Sequence, residues 1–445
     1  MRALKTSYNL GMSNQDLLNR SLQSVWHPCT QMKQHETFPL VPIKKADGVW
    51  LYDADGNRYL DAVSSWWVNL FGHNNPRIKE AIKQQLDTLE HVMLAGFTHE
   101  PVIVLSEQLS KLTGLGHAFY ASDGASATEI ALKMSFHYWR NTAKPNKTKF
   151  ISLQNSYHGE TLGALGVTDV AIFKDTYAPL LMQSAQMPSP DFRLAESGES
   201  AESFARRCAD ALESYVALHH AELAAFIIEP LVQCAAGMAM YHPVYLAKAR
   251  EICTKYEVHL IADEIAVGFG RTGSMFACEQ AGISADFICL SKGITGGYLP
   301  LSAVLTTDDV YAAFYHDSSA KGFLHSHSYT GNPLACSAAL ATLAIFESER
   351  VVQNNHQKSA YIMRQMQVLT HLPVKHLRHQ GMIFAFDVET ERPQFARQSY
   401  QAAMQQGLLL RPIGNTVYFM PPYTITESEI DLMVNTTFDV IKALI

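Results

Sequence analysis

Short apolar runs alternate with amphipathic helical stretches through the middle of the chain, from about residue 117 to residue 306. The apolar runs end at polar or Gly-containing loops, which is the pattern of strands buried on both faces of a parallel sheet. The helical stretches between them suit crossover helices. The predicted strands are 117–121, 149–153, 224–229, 258–263, 287–291 and 301–306, and the predicted helices are 126–140, 203–220 and 243–256.

Other patterns flank this central region. The segments Gly48–Tyr52 and Arg58–Asp61 flank the turn Asp53–Asn57, which predicts a β-hairpin. Residues 374–445 mix short strands with helices, and the polar stretch from Met187 to Ser203 predicts a surface loop. Helical periodicity recurs in 77–90, 101–112 and 333–369.

These patterns predict an α/β protein with two domains. A large domain with a mostly parallel sheet spans 66–330, and a smaller α+β domain spans 331–445. Residues 1–65 form an N-terminal segment that we expect to pack with the small domain.

Two of the predicted strands lead into residues of opposite charge. Asp263 closes the run Val258–Asp263, and Lys292 follows the run Phe287–Ser291. Ligands of open α/β sheets bind beyond the carboxyl ends of the strands, so we expect both side chains at one site. A lysine in apolar surroundings loses basicity and can form a Schiff base with an aldehyde, and a carboxylate can keep a pyridine nitrogen protonated. The pair therefore predicts pyridoxal phosphate (PLP) as cofactor.

The segment Ser122–Glu129 predicts an anion site at the start of a helix. Ser126 and Glu129 match a capping box, and Gly124 and Ala125 lie in the turn before it. Unpaired amides at a helix N-terminus bind anions such as phosphate. Taken alone, the segment fits an ordinary capped helix at least as well.

Tyr157 lies on the loop that follows the strand 149–153. Its ring can stack on a flat heterocycle, and packing against the rim of the domain is an equally good interpretation.

Gly268–Gly273 matches G-x-G-x-x-G, the dinucleotide-binding motif, by its letters. The match lies four residues past its strand, and Asp286, the acid at about the expected distance, begins the next strand where the motif needs it at a strand end. A nicotinamide cofactor is therefore not expected. We expect these glycines to shape a turn that presents Arg271.

Three further sites have competing interpretations. Arg411 follows an apolar run and suits a carboxylate, although a solvated arginine at a strand end explains it equally well. Trp66 and Trp67 fit the wall of a substrate channel or, more commonly, a hydrophobic core. His325 and His327 lack a third ligand at recognisable spacing, so no metal site is predicted.

Composition narrows the functional classes. Of the 445 residues, 47% are hydrophobic and 17% charged, which is ordinary for a globular protein. The net charge of −7 and the lack of a basic run argue against nucleic acid or an acidic membrane surface as a partner. The seven cysteines form no C-x-x-C pair, and the start, Met1–Leu10, lacks the apolar core of a signal peptide. We therefore expect a cytoplasmic protein with reduced thiols.

The motifs are far more specific as an ordered set than singly. The set resembles the class III, or ω-, aminotransferases, which are PLP enzymes of fold type I, over nearly the whole chain. Within that family, Val25–Pro28, Ser64–Trp67, Met240–Pro243 and Met420–Tyr423 resemble the branch that acts in biotin biosynthesis. The ordered motifs are Gly124-Ala125, Tyr157-His158-Gly159, Glu229-Pro230, Asp263-Glu264, Ser291-Lys292-Gly293 and Thr330-Gly-Asn-Pro333.

The resemblance implies roles for residues at the cofactor. Lys292 would join the cofactor and move protons, and Asp263 would pair with the pyridine nitrogen. Tyr157 would lie against the cofactor and the substrate, and the amides of Gly124 and Ala125 would bind the phosphate.

The resemblance also implies a homodimer with shared active sites. His327 and Ser328 would bind the cofactor, with Ser328 reaching the phosphate from the neighbouring subunit. The partners of the protein would otherwise be small-molecule substrates, an amine donor and a keto acid acceptor.

The reaction implied for this branch is amination of 8-amino-7-oxononanoate to 7,8-diaminononanoate, with S-adenosylmethionine as amino donor. Arg411 would bind the carboxylate of the keto acid, while Glu160 and Arg271 would help to accept the donor. The substrate-binding residues implied are Trp66, Tyr157, Glu160, Arg271, Lys292, Ser326, Arg411 and Cys29.

The chain departs from the family at several of these positions. Cys29 replaces a tyrosine, Glu160 an aspartate, and Ala125 the usual phosphate-binding serine. Ser326-His327-Ser328-Tyr329 stands where Gly-Pro-Thr-Phe is usual. These changes affect substrate recognition more than the Schiff-base chemistry of Lys292. The identity of the amino donor therefore stays open, and free lysine or another amine could replace S-adenosylmethionine.

Three alternatives remain at this point. The chain could be another class III ω-aminotransferase, acting on ornithine, GABA or diamines. It could be a PLP-fold binding module without activity, although the presence of Lys292 argues against that. The third alternative, a nicotinamide oxidoreductase, is supported only by the motif Gly268–Gly273.

Overall fold

The computed structural model describes residues 11–38 and 40–445. The prediction that Met1–Leu10 is not a signal peptide therefore concerns residues outside the described ones. The strands are β1 (Ile43–Asp47), β2 (Trp50–Asp53), β3 (Arg58–Asp61), β4 (His117–Ala121), β5 (Lys149–Leu153), β6 (Ala185–Met187), β7 (Leu223–Ile228), β8 (Val232–Gln233), β9 (Ala239–Met240), β10 (His259–Asp263), β11 (Phe287–Leu290), β12 (Ser302–Thr306), β13 (Val374–Gln380), β14 (Ile383–Val388), β15 (Leu408–Leu409) and β16 (Thr416–Phe419).

The helices surround these strands. They are α1 (Asn14–Ser24), α2 (Ser64–Trp67), α3 (Pro76–Leu86), α4 (Glu100–Thr113), α5 (Gly124–Asn141), α6 (Leu162–Val167), α7 (Ala171–Lys174), α8 (Ala201–His219), α9 (Val244–Lys255), α10 (Asp308–Ala312), α11 (Pro333–Ser348), α12 (Val351–Met366), α13 (Phe395–Gln405) and α14 (Glu427–Leu444). Short 3₁₀ helices occur at Met32–Glu36, Asp175–Leu180, Phe192–Leu194, Ala277–Ala281, Lys292–Thr295, Ser319–Lys321 and Gln367–His371. Within residues 11–38 and 40–445, no helix is both long enough and apolar enough to cross a membrane.

A seven-stranded sheet in the order β4-β12-β11-β10-β7-β5-β6 forms the centre of the fold. Its strands are parallel except β12, which runs antiparallel to β4 and β11. The predicted mostly parallel sheet is therefore confirmed, and each of its six predicted strands occurs within a residue of the predicted ends.

Both faces of this sheet are buried, which explains the apolar runs. Ile227, Ile261 and Phe287 pack into one hydrophobic cluster together with residues of α5. Their neighbours Leu260 and Ile288 belong to a second cluster on the other face. Because side chains alternate between the faces of a strand, every position of such a strand has to be apolar.

The predicted surface loop between Met187 and Ser203 is wrong in its first part. Met187 closes β6, which adds to the edge of the sheet beside β5. Ser189 and Asp191 are buried, and Asp191 pairs with Arg193 at 2.7 Å. A strand of three residues carries too little periodicity to be recognised in the sequence.

Residues before and after the central sheet meet in smaller sheets. The predicted hairpin is present as β2 and β3, and β15 extends it by pairing parallel with β3. A three-stranded sheet, β13-β14-β16, lies in the C-terminal region. The pairing of β15 with β3 brings residues 43–61 beside the C-terminal region, while the domain limits at residues 65 and 330 stay predictions.

Candidate active site

A cavity of about 290 Å³ opens where several elements of the central sheet end. Strands β5, β7, β10 and β11 are parallel, so the loops that leave their carboxyl ends gather at one edge. The residues lining this inner cavity include Gly124, Ala125, Tyr157, Glu160, Asp263 and Lys292. The structure therefore brings together six side chains and amides that are far apart in the sequence.

Lys292 lies at the bottom of the inner cavity. It follows β11 with a φ of 46°, in the left-handed region that side chains seldom adopt. Its Nζ lies 5.1 Å from the centre of the Trp67 ring. Burial lowers the pKa of this lysine, and nearby Asp263 opposes that shift in part. A larger fraction of the amine is therefore neutral and nucleophilic than at an exposed lysine.

Asp263 is held firmly at the end of β10. One carboxylate oxygen lies 2.7 Å from Nδ1 of His158, and the other accepts a hydrogen bond of 3.1 Å from the amide of Ile265. Both the aspartate and the histidine are buried. In the sequence, His158 stood out only as part of a motif, although its place after the predicted strand 149–153 was a signal for a site residue.

Glu229 is a further cavity residue to which the sequence analysis assigned no role. It follows β7, the neighbour of β10, and lines the inner cavity. Its Oε2 accepts a hydrogen bond of 3.0 Å from the amide of Tyr157. Burial, with a contribution from Asp263, raises the pKa of this carboxyl to about 7. The signal in the sequence was an acid at the end of a third apolar run.

The start of α5 forms another wall of the inner cavity, but the predicted capping box is wrong. The helix begins at Gly124, and the N-cap is Asp123, whose side chain accepts a hydrogen bond of 2.9 Å from the amide of Ser126. Ser126 therefore lies inside the first turn. Glu129 instead accepts hydrogen bonds from the Thr161 hydroxyl at 2.6 Å and from the amide of Gly163 at 2.7 Å.

Close packing requires glycine at two positions in this wall. A Cβ atom at Gly124 would lie 3.0 Å from Ile265, and one at Gly159 would lie 2.6 Å from Cβ of Ala125. Gly159 also has a φ of 120°. Gly159 therefore lets the loop after β5 approach the start of α5, and Gly124 does the same for the loop after β10.

The residues of the inner cavity fit PLP. The amides of Gly124 and Ala125 lie in the first turn of α5, where no intrahelical acceptor reaches them, so they suit a phosphate. Asp263 is a fixed carboxylate for a ring nitrogen, and Lys292 is an amine for an aldehyde. Tyr157 provides an aromatic surface beside them.

A wider groove, here called the outer groove, continues from the inner cavity. Glu160 lines both the inner cavity and a neighbouring cavity of about 670 Å³ that Cys29 also lines. Cys29 in turn lines a third cavity of about 990 Å³, which includes Arg411. The outer groove therefore leads from the lysine to Arg411 along a path shared by these residues.

Arg411 and Trp66 stand together in this region. The Cζ atom of Arg411 lies 4.8 Å from the centre of the Trp66 ring. In the part of the chain that the structure describes, no carboxylate lies within salt-bridge distance of this guanidinium. Its charge is thus available to a carboxylate ligand.

The two tryptophans separate although they are neighbours in the sequence. Trp66 is 44% exposed, whereas Trp67 is 6% exposed and lines the inner cavity. They belong to α2, which is a left-handed turn with φ of 50°, 48°, 72° and 72° from Ser64 to Trp67. Such a conformation costs roughly 1–2 kcal/mol per residue for L-amino acids.

Cys29 and Glu160 lie close to one another in the outer groove. Glu160 accepts a hydrogen bond of 2.9 Å from the Tyr157 hydroxyl. Partial burial and the charge of Glu160 raise the pKa of the Cys29 thiol, and Arg411 acts in the opposite direction. Cys29 is exposed, unlike the six other cysteines, which are buried.

Arg271 occupies a different place from the one predicted. It does not line the inner cavity, and its side chain is buried among backbone carbonyls. Its guanidinium donates hydrogen bonds of 2.8 Å to Pro421 and 2.9 Å to Asn69. The glycines of 268–273 therefore turn this arginine into the core, away from the groove.

The segment with Ser326, His327 and Ser328 lies outside the inner cavity of its own chain. Both serines are exposed, and Nε2 of His327 lies 3.0 Å from Nε2 of His325. Over residues 11–38 and 40–445, no group of three or more His, Cys, Asp or Glu side chains has the arrangement of a metal site.

Comparison with known proteins places this site in a family. Residues 30–441 match the family model described as Aminotransferase class-III. The chain is 49% identical over 427 residues to the adenosylmethionine-8-amino-7-oxononanoate aminotransferase of Helicobacter pylori, covering 94% of this chain and 95% of that protein. It is 40% identical to the protein of the same name from Geobacter sulfurreducens, over 95% of this chain and 96% of that protein.

Solved structures agree with the sequence relatives. The adenosylmethionine-8-amino-7-oxononanoate aminotransferase of Methanocaldococcus jannaschii matches with a TM-score of 0.90 and 36% identity, over 97% of this chain and 99% of that one. An amine transaminase from an uncultivated Pseudomonas species, solved in its PLP-bound form, matches with a TM-score of 0.90 and 32% identity, over 94% and 98% of the two chains. The chain therefore belongs to the class III aminotransferase family, which confirms the predicted fold class and the prediction of a PLP-dependent aminotransferase.

Proposed function

We propose that this aminotransferase moves the amino group of S-adenosylmethionine to 8-amino-7-oxononanoate, giving 7,8-diaminononanoate for biotin synthesis. The names of relatives that are 49% and 40% identical over nearly the full length support this acceptor and this donor. The observation that carries the proposal is the position of Arg411. Its guanidinium lies over Trp66, in the cavity that Cys29 joins to the rest of the groove, and it has no carboxylate partner among residues 11–38 and 40–445.

PLP, when bound, supplies an aldehyde that takes up amines and a ring that withdraws electrons from the reacting carbon. Lys292 would hold the cofactor through its amine and, once free, would move a proton at the reacting carbon. Its lowered pKa suits this work, because the neutral amine is the base. Asp263, fixed by His158, would keep the ring nitrogen protonated.

The outer groove accounts for recognition of the acceptor. 8-Amino-7-oxononanoate has a carboxylate at one end of an apolar chain and an amine beside a ketone at the other. Arg411 pairs with the carboxylate, and the Trp66 ring packs on the chain. Glu160, which holds the Tyr157 hydroxyl, offers a carboxylate to the amine.

A different amine donor is the second candidate. Amine transaminases that are 28–32% identical match this chain with TM-scores of 0.90–0.92, so the fold also suits simple amines. Cys29 and Glu160 lie in the outer groove where donors have to be distinguished. Lysine, ornithine, GABA and diamines are therefore the donors to compare with S-adenosylmethionine.

A panel of donors and acceptors tests the proposed reaction. Purified protein loaded with PLP is mixed with each donor alone, and the loss of the visible cofactor absorbance reports the first half-reaction. We expect S-adenosylmethionine to react faster than the other donors and 8-amino-7-oxononanoate to restore the absorbance. Faster reaction with another donor contradicts the choice of donor, and no recovery with this keto acid contradicts the choice of acceptor.

We also propose a cytoplasmic homodimer in which Ser328 of one subunit binds the cofactor phosphate of the other. The exposed segment around Ser328 supports this, since Leu324 is 84% exposed and Tyr329 64% exposed beside it. Free thiols at all seven cysteines support a reducing compartment.

Mixed dimers test the shared site. Lys292→Ala and Ser328→Asp are each expected to be inactive, but a dimer of the two has one site with both residues intact. Unfolding and refolding the two variants together should recover about a quarter of the wild-type rate, because half of the dimers are mixed. No recovery would show that Ser328 acts within its own chain or not at all.

A further inference from the structure

The left-handed turn Ser64–Trp67 is the most unusual backbone segment near the site. Four successive residues have positive φ, and none of them is glycine. L-amino acids adopt this conformation as single residues and very rarely in a row. The turn therefore persists only if the surrounding structure holds it against its own preference.

Asp61 holds the first half of the turn. Its side chain is fully buried, and one oxygen accepts a hydrogen bond of 2.7 Å from the Ser65 hydroxyl. The other oxygen accepts a hydrogen bond of 3.3 Å from the amide of Val63, and His73 lies 3.3 Å away. Asp61 does not line the inner cavity, so it has no contact with the reacting groups.

Other contacts fix the two ends of the turn. The Ser64 hydroxyl donates to the carbonyl of Met420 at 2.7 Å, and the Trp67 indole donates to the Tyr418 hydroxyl at 3.1 Å. Arg271 holds the carbonyl of Asn69, just beyond the turn. Both ends of the turn are thus tied to the C-terminal region, and Asp61 holds Ser65 between them.

The turn sets the position of both tryptophans. Trp67 lies under the amine of Lys292, and Trp66 lies under the guanidinium of Arg411. In a regular strand, neighbouring residues would point to opposite faces, and in a right-handed helix they would differ by about 100°. The left-handed turn instead places the Trp67 ring in the inner cavity and leaves the Trp66 ring exposed beside Arg411.

We propose that Asp61 is a positioning residue for the transamination, which acts through Ser65 to hold the left-handed turn and thereby sets Trp66 against Arg411 for the acceptor. The part of this inference that concerns the acceptor rests on the proposed function. The part that concerns the turn depends only on the structure of the protein itself.

The test compares two substitutions of Ser65, which is exposed, so that neither variant changes the packing of the core. Ser65→Ala removes the bond to Asp61 and keeps a Cβ that disfavours positive φ. Ser65→Gly removes the same bond but adopts positive φ freely. We therefore expect the alanine variant to have the higher KM for the keto acid and the lower thermal midpoint of the two. Its KM should rise about tenfold, because the charge-assisted bond is lost.

A matched serine should give the opposite order. Ser214 is exposed in α8, and its hydroxyl bonds to the carbonyl of Asp210 at 2.8 Å. In this right-handed helix, Ser214→Gly should lower the thermal midpoint more than Ser214→Ala, because glycine disfavours helices. At Ser65 we expect the opposite order, with the alanine variant less stable than the glycine variant. A left-handed turn held by its surroundings predicts this order, whereas a serine in a right-handed helix does not show it.

Asp61→Asn links the effect to the aspartate. It should raise the same KM, and adding Ser65→Ala to it should raise the KM little further, because both changes break one bond. Near-ultraviolet circular dichroism without substrate reports the tryptophans directly and should change in Asp61→Asn and Ser65→Ala. That signal does not depend on which substrates the enzyme uses.

Two results would overturn the proposal. One is a Ser65→Gly variant that is damaged as much as, or more than, Ser65→Ala. The other is full additivity of Asp61→Asn and Ser65→Ala in the KM. If the dichroism follows the predicted order while the keto acid is not a substrate, the turn is held as proposed and only the proposed function fails.

Discussion

The inner cavity and the outer groove are built in opposite ways. The inner cavity is small and lies at the ends of buried parallel strands, where Asp263 has two close partners. The outer groove is wide, and its residues come largely from the N-terminal segment, from α13 and from the chain around β15. Arg411 lies over the Trp66 ring there, and Cys29 is exposed. Burial thus governs the chemistry at one end, and exposed groups govern recognition at the other.

The expected departures from the family fall mainly, but not only, in the outer groove. Cys29 and Glu160 both line it, whereas Ala125, which still offers its amide, lines the inner cavity. Lys292 and Asp263 keep the expected identities at the inner cavity. A change in the outer groove alters which substrate fits, whereas a change beside the lysine removes the reaction. We therefore expect substitutions to have effects of very different size in the two regions.

The largest effect is expected for Lys292→Ala. Loss of the amine removes both the attachment of the cofactor and the proton carrier, so turnover should fall by roughly 10⁴-fold or more. The measurement is single-turnover bleaching of the cofactor absorbance. Lys292→Arg, which keeps the positive charge, should fail equally, and activity in either variant would refute the role of this lysine.

Asp263→Asn is expected to be the next most damaging change. A neutral amide cannot keep the ring nitrogen protonated, so kcat should fall by about 10²–10³-fold, as for other fixed electrostatic groups. Melting curves of the variant should stay cooperative. A nearly normal kcat would mean that the electron-withdrawing form of the cofactor does not depend on this carboxylate.

Arg411→Ala should change binding and leave the chemistry largely intact. Loss of a charge-assisted pair worth about 2–3 kcal/mol should raise the KM of the keto acid roughly 30- to 150-fold. Arg397→Ala is the matched control, because Arg397 lines the same cavity and stacks on Phe38. Equal KM values in the two variants would place recognition of the carboxylate elsewhere.

Cys29→Tyr should have a smaller effect that is confined to the choice of substrate. A tyrosine restores the hydroxyl usual in the family, so the ratio of kcat/KM between S-adenosylmethionine and lysine should change by about threefold to tenfold. Cys208→Ala, a change at a buried thiol distant from the groove, serves as control. An unchanged ratio would remove Cys29 from donor selection.

The smallest effect concerns the pH dependence of stability. The pKa of Glu229 is raised from an ordinary 4.5 to about 7. Between these pH values the native state binds more protons than the unfolded state, so the contribution of Glu229 to stability falls as pH rises. Glu229→Gln should flatten this trend by about 2 °C in Tm across the window. A parallel curve for the variant would contradict the raised pKa.

Much of the fold could be predicted because the relevant signals are local. The six strands from 117–121 to 301–306 were recognised since apolar runs buried on both faces look the same in any parallel sheet. The start of α5 was placed two residues late, because Asp123 and Ser126 are both good capping residues and only geometry distinguishes them. The strand β6 was missed because three residues show no period.

The candidate site divides in the same way. Lys292 and Asp263 were recognised because each follows an apolar run, and the ends of parallel strands meet at one edge. The position of Arg271 was predicted wrongly, because the same glycine-rich sequence can direct a side chain toward the cavity or into the core. Its burial depends on carbonyls of Asn69 and Pro421, which are distant in the sequence.

The amino-acid sequence alone was enough to establish the chemistry of this protein, because the residue types at the strand ends limit what the site can do. Folding of the whole chain decided which distant groups share a surface, as Trp66 and Arg411 do. It also decided the left-handed turn, which local preferences oppose and contacts with Asp61 and Met420 enforce. The bond from Ser65 to Asp61 spans four residues, whereas those from Ser64 and Trp67 reach residues more than 350 positions away, which local preferences cannot reveal.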